Sequence, residues 1–181
     1  MKKLLLLIAF GSCALLAKAQ SSTYHAFKVD VGFGYAIPAS GSGTKAGVTF
    51  TVEPHYRVTD DLAVGLRFEG AGLGNEDQTD GDTHVKVSFL TSYCATGEYY
   101  LMDGGFRPFL GAGAGLFTQR AVVNSDSEDL SLSASKTKFG FFPRAGIEAG
   151  HFRFSASYNV LGDGGNYTAF SIGFFLGGGK K

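Results

Sequence analysis

Alternate residues of this chain belong to two chemical populations, and that period of two constrains the fold more than any other feature. Between Phe27 and Ile37 the odd positions read Phe, Val, Val, Phe, Tyr, Ile, and the even positions Lys, Asp, Gly, Gly, Ala. Successive side chains of a strand point to opposite faces, so this segment is a strand with one apolar and one polar face. The split recurs along most of the 181 residues. From Gln20 onward no window carries a sustained helical apolar period, and none approaches the ~18 apolar residues of a spanning helix. The chain is therefore expected to be all-β.

The pattern resolves into eight strands: 26–37, 46–56, 62–71, 84–101, 106–117, 138–149, 152–160 and 167–177. The connections alternate in length. Segments 38–45, 72–83, 118–137 and 161–166 are the longer set, and 57–61, 102–105 and 150–151 the short one. Eight alternating strands with that rhythm predict an eight-stranded antiparallel up-and-down transmembrane β-barrel.

The direction of the apolar face decides between membrane and water. The apolar set includes Val48, Phe50, Leu62, Val64, Leu66, Phe68, Phe89, Leu110, Leu116, Phe139, Phe141, Phe154, Phe170, Ile172 and Phe174, without a Lys, Arg, Asp or Glu in the strand interiors. The polar set holds Lys28, Asp30, Glu53, Arg67, Glu69, Lys86, Glu98, Arg107, Arg144, Glu148 and Arg153, in nearly balanced sign. A soluble lipocalin-like barrel would turn the apolar face inward. Against that, the polar face also carries Gly32, Gly34, Gly65, Gly111, Gly113, Gly115, Gly140 and Gly146, which weaken a water-facing strand but suit a cramped lumen. Tyr35, Tyr56, Tyr93, Tyr99, Phe106, Phe152, Tyr158 and Tyr167 near strand ends fit aromatic girdles. The expected location is the bacterial outer membrane, with both termini in the periplasm and the longer loops outside.

The N-terminus agrees with export. Lys2-Lys3, the run Leu4 to Phe10 and Ala17-Lys18-Ala19 form a signal peptide over 1–19, leaving a barrel domain over 20–181. Lipid attachment at Cys13 is the rival, but Phe10-Gly11-Ser12 ahead of it fits poorly. Loss of Lys2, Lys3 and Lys18 leaves 13 basic against 16 acidic residues, a net charge of −3 that does not point to nucleic acid. Only Cys94 remains, so an intramolecular disulfide is impossible.

The short turns suggest a register for the inner charges. Centring hairpins on Asp60, on Met102-Asp103 and on Gly150-His151 places Glu53 opposite Arg67, Glu98 opposite Arg107 and Glu148 opposite Arg153. These six residues are the expected lumenal ion-pair network.

Four segments stand out together: Ala17-Lys18-Ala19-Gln20, Tyr56 to Gly65, Arg107-Pro108-Phe109-Leu110-Gly111-Ala112-Gly113-Ala114-Gly115, and the last strand ending Phe174-Phe175-Leu176-Gly177. In these the chain resembles the small outer-membrane β-barrel proteins of the OmpA/OmpX type, in their stand-alone, barrel-only form. The resemblance covers essentially all of the chain after the signal, and it implies a fold and a compartment. Family members often carry a second, peptidoglycan-binding domain. Here the chain stops at Lys181, so that function is not carried over. The terminal aromatic signal for barrel assembly is displaced inward by the Gly-Lys tail, leaving Phe174 and Phe175 as its candidates.

Chemical motifs are few. Gly111-x-Gly113-x-Gly115 lacks the G-x-G-x-x-G spacing and the following helix of a dinucleotide loop. Glu76, Asp77, Asp80 and Asp82 make a weak candidate for a divalent cation, without the EF-hand spacing, and read mainly as a solvated loop. Asp126, Glu128 and Asp129 read the same way. A lipid-modifying enzyme would need a nucleophile, base and acid. The best set, His84, Ser88 and Asp82, lies on one strand with His84 and Ser88 ~13 Å apart. A narrow channel is a further alternative, opposed by the side chains that fill an eight-stranded interior. The reading is thus a non-catalytic structural or surface-interaction protein, without cofactor and without catalytic residues. It is expected to be a monomer that contacts outer-membrane lipid and lipopolysaccharide, and an extracellular ligand through its loops.

Overall fold

A computed structural model describes residues 23–39, 44–79, 82–122, 135–162 and 165–181, without the side chains of 44, 75–79, 82–88 and 121–122. The expected signal segment with Cys13, the position Asp80, and Asp126, Glu128 and Asp129 lie outside the described residues. Eight strands follow one another: β1 (Phe27–Pro38), β2 (Thr44–Arg57), β3 (Leu62–Thr79), β4 (Asp82–Tyr100), β5 (Phe106–Val122), β6 (Lys136–Ala149), β7 (Phe152–Asn159) and β8 (Tyr167–Gly177). Each pairs antiparallel with the next, and β8 returns to β1 from Lys28↔Gly177 to Pro38↔Tyr167, closing an up-and-down barrel. Closure removes the sheet edge over the height that all eight strands share.

The faces sort as the alternation predicts. Phe33, Val48, Leu66, Phe68, Leu110, Phe139 and Ile172 point outward and are exposed, Phe139 by 70%. Lys28, Asp30, Glu53, Arg67, Glu69, Glu98, Arg107, Arg144, Glu148 and Arg153 point inward and are buried. Tyr167 departs from the expected girdle. It lies on the inward parity of β8, is 1% exposed, and donates its hydroxyl to Glu69 Oε1 at 2.6 Å.

Strand ends differ from the sequence reading on one side of the barrel. The expected loop 72–83 is instead a continuation of β3 and β4, paired down to Thr79↔Asp82, and β5 runs on to Val122. The apolar pattern stops earlier because it marks the height of the hydrocarbon. Backbone pairing of a hairpin continues beyond it, whatever the side chains. At 18, 19 and 17 residues, β3, β4 and β5 greatly exceed the ~9–11 residues that cross a membrane.

The three short turns, the segment Thr23–His25 and the C-terminal residues share one end. His25 N donates to Gly179 O at 2.9 Å, Lys181 N to Thr23 O at 2.9 Å, and Thr23 N to Asp60 Oδ1 at 3.2 Å. The Gly150-His151 turn has two residues, with Gly150 at φ +61°, and sets Glu148 opposite Arg153. Thr51↔Glu69 and His55↔Gly65 set Glu53 opposite Arg67. The third turn differs from its expected centre. The chain swings wide through Met102–Gly105, with Gly104 at φ +119°, so Glu98 faces Gly111 and Arg107 faces Glu148 on β6.

Leu66 lies on the outward wall of β3. Leu66→Arg is expected to lower the unfolding free energy in lipid vesicles by ~2–4 kcal/mol, as a cation near the bilayer centre does. Denaturant titration followed by the electrophoretic shift between folded and unfolded forms measures it, with Leu66→Phe as the near-neutral control.

Candidate functional site

Alternation delivers one polar side chain per strand per level to the lumen, and eight strands leave room for little else. In the half nearest the short turns these side chains form a continuous network. Arg144 on β6 reaches across to β2 and binds Glu53 with both arms, Nη1 to Oε2 at 2.6 Å and Nη2 to Oε1 at 2.8 Å. The same Nη2 lies 2.5 Å from Glu98 Oε1 on β4. Arg153 on β7 donates to Glu98 and, at 2.6 Å, to Glu148 Oε1. Lys28 on β1 joins Glu148, Asp30 Oδ2 at 3.3 Å and the Tyr100 hydroxyl at 2.9 Å. His55 Nε2 sits 2.7 Å from Asp30 Oδ2, and its Nδ1 3.7 Å from Glu98 Oε2. Each ion is buried, and each is matched by opposite charge, the condition under which charges are tolerated away from water.

The six expected network residues are thus distributed unevenly. Glu148 and Arg153 pair directly across their hairpin. Glu53 and Arg67 face one another in register, but Glu53 takes Arg144. Arg67 donates to Asn159 Oδ1 at 2.8 Å and to Ser92 Oγ at 3.4 Å, lies 3.7 Å from Glu69 Oε2, and stacks 3.6 Å over the Phe142 ring. Arg107 is not the partner of Glu98. It turns toward the short-turn end, donates to the carbonyl oxygens of Asp60 at 3.0 Å and Met102 at 3.5 Å, and lies with Arg57 over the rings of Tyr24 and Tyr100. Hairpin register sees only adjacent strands, so the Arg144–Glu53 and Arg153–Glu98 bonds, which cross the lumen, were not visible in it. Their one sequence signal was the inward parity of Lys28, Asp30 and Arg144.

Beyond Arg67 the lumen turns apolar. Ala36, Ala71, Leu73, Leu90, Cys94, Phe117, Phe142, Leu161 and Ala169 form one buried cluster with Tyr167. Gly113 makes room for it: a Cβ there would lie 2.4 Å from the Phe142 ring. Between this plug and the ion network remains a cavity of about 30 Å³, lined by residues that include Asp30, Thr51, Arg67, Arg144 and Ser171. It has room for one or two waters.

Among the described residues the Glu53 and Glu98 carboxylates and His55 approach within 4.8 Å, a spacing compatible with a metal ion. Arg144 already holds both carboxylates, so a cation would have to displace a guanidinium. The acidic candidates Glu76 and Asp77 fall on β3 and Asp82 on β4, with Glu76↔Val85, Asp77↔His84 and Thr79↔Asp82 in register. Their side chains, and those of His84 and Ser88, lie outside the described residues. In the described lumen the ion-pair contacts lock the side chains to one another across the barrel.

Removing one partner of a buried ion pair strands the other. Arg144→Met is expected to cost ~3–5 kcal/mol in the unfolding free energy measured in vesicles. The double variant Arg144→Met with Glu53→Leu should regain most of it, because Arg153 still holds Glu98.

Comparison with known proteins places this geometry. The family model described as outer membrane protein beta-barrel domain matches residues 5–177. No curated protein sequence matches the chain. Among solved structures, Neisserial surface protein A (NspA) aligns over 83% of this chain and 96% of its own, with 21% identity and a TM-score of 0.60. The N-terminal β-barrel domain of Pseudomonas aeruginosa OprF aligns over 86% and 100%, with 19% identity and a TM-score of 0.50. Ail, the attachment invasion locus protein of Yersinia pestis, in complex with the heparin analogue sucrose octasulfate, aligns over 83% and 99%, with 16% identity and a TM-score of 0.50. At these identities the likeness is one of fold.

Proposed function

This chain belongs to the outer membrane protein beta-barrel domain family, and from its place in the outer membrane we propose a non-catalytic role in which the barrel is a sealed anchor and the loops are the contact surface. The observation that carries this reading is the filled lumen. A salt-bridged layer, an Arg–aromatic stack and an apolar plug follow one another along the barrel axis, and the cavity between them is about 30 Å³. Such an interior supports neither conduction nor entry of a substrate, so interaction falls to the outside of the barrel and its ends.

The same reading orients the molecule. The end with the short turns and both termini faces the periplasm after removal of residues 1–19, as short periplasmic turns do in bacterial barrels. The end with connections 39–43, 80–81, 123–135 and 160–166 faces outward. Over the height that all eight strands share, the closed sheet has no edge for pairing with another chain, which supports a monomer surrounded by lipid.

Two measurements test it. Reconstituted protein in planar bilayers is expected to give no unitary conductance steps. In a Cys94→Ser background, Ser131→Cys should react with a membrane-impermeant maleimide on intact cells, and Asp103→Cys only after the outer membrane is opened. Stepwise conductance or the reverse labelling pattern would overturn the reading.

A further inference from the structure

Along the described strands the outward face is apolar or uncharged until the loop end, where Arg120 on β5 and, past the bulge in β2, Lys45 opposite Gly74 are charged and exposed. The parity of Arg120 is secure, since pairing runs without a bulge through Leu116↔Phe139 and Thr118↔Thr137 on β6, and through Tyr93↔Leu116 and Phe89↔Arg120 on β4. Exposed Leu116 and Phe139 therefore lie below it on the same wall. Between them and Arg120 sit Thr118 and Thr137, whose hydroxyls are 2.9 Å apart and exposed. Going up this wall, the surface changes from hydrocarbon-like to hydroxyl to cation, with Arg120 about 7 Å along the strand past Thr118.

That sequence of surfaces is complementary to an amphiphile with an anionic head above acyl chains. A guanidinium matches a phosphate with two parallel hydrogen bonds, which an ammonium does not. A cation on the outer wall is stable only where the hydrocarbon ends, so its counter-ion must come from the headgroup layer. We infer that Arg120, with the Thr118–Thr137 hydroxyls beneath it, is a docking site for the phosphate of an outer-leaflet phosphoglycolipid of the lipid A class. The choice of leaflet rests on the orientation proposed above. The phosphate chemistry rests on the wall alone.

The test uses the full mature chain in detergent micelles, titrated with bisphosphorylated lipid A, with the same lipid A after removal of its phosphates, and with phosphatidylglycerol, and read by native mass spectrometry. Arg120→Ala is expected to lower retention of bisphosphorylated lipid A at least threefold and to leave the dephosphorylated lipid unchanged, with Arg120→Lys intermediate. An unshifted heat-modifiable band shows that each variant folds. Equal retention by Arg120→Ala and the native chain overturns the proposal, as does an equal loss for the dephosphorylated lipid. A loss confined to phosphatidylglycerol overturns the choice of lipid. The maleimide labelling above reads orientation separately, so an inverted barrel is distinguishable from an Arg120 that binds nothing.

Discussion

In hydrocarbon a backbone amide has no water to turn to, and every strand must therefore find a neighbour on both sides. The seam between β1 and β8 meets that requirement, and the rest of the molecule follows from it. Once the sheet is closed, each strand has one face toward lipid and one toward a narrow interior. The lipid face can hold only apolar side chains over the membrane's height. All polarity in the spanning region is then forced inside, into a space too small for solvent to screen it.

This explains why the interior is organised as a matched set of ions and not as scattered polar groups. Arg144, Arg153 and Lys28 come from β6, β7 and β1, and the carboxylates they meet from β1, β2, β4 and β6. The bonds cross the lumen as well as running between neighbours, so they tie opposite walls together at fixed distance. Adjacent strands are held by the ladder; walls that never touch are held by guanidinium–carboxylate contacts. Aromatic rings cover guanidinium faces along the lumen: Phe109 that of Arg153, Phe142 that of Arg67, and Tyr24 and Tyr100 those of Arg57 and Arg107.

The fold was legible because the constraint acts on every second residue, and a one-residue error in parity would place Lys28 or Glu148 in lipid. The strands of β1, β7 and β8 could be read almost to their ends for the same reason. The ends of β3, β4 and β5 could not, since backbone pairing there runs on past the apolar signature to Thr79↔Asp82 and Val87↔Val122. The inward residues were legible as a set, but their partners only in part. Glu148–Arg153 is a local consequence of a two-residue turn. Arg144–Glu53 depends on barrel diameter and shear, which no hairpin rule contains, and the wide turn at Gly104 moved Arg107 away from Glu98.

Thr23 and Lys181 lie side by side, hydrogen-bonded to one another and flanked by the His25–Gly179 bond, in the continuation of the seam. The gap between these two residues is therefore one more hairpin position, spatially equivalent to the turn at Gly150. Strand order becomes separable from architecture. A peptide link across that gap, with a new opening between Thr79 and Asp82, would yield a circular permutant with the same wall-to-wall contacts. The native order of the strands would then govern only the sequence of events during insertion.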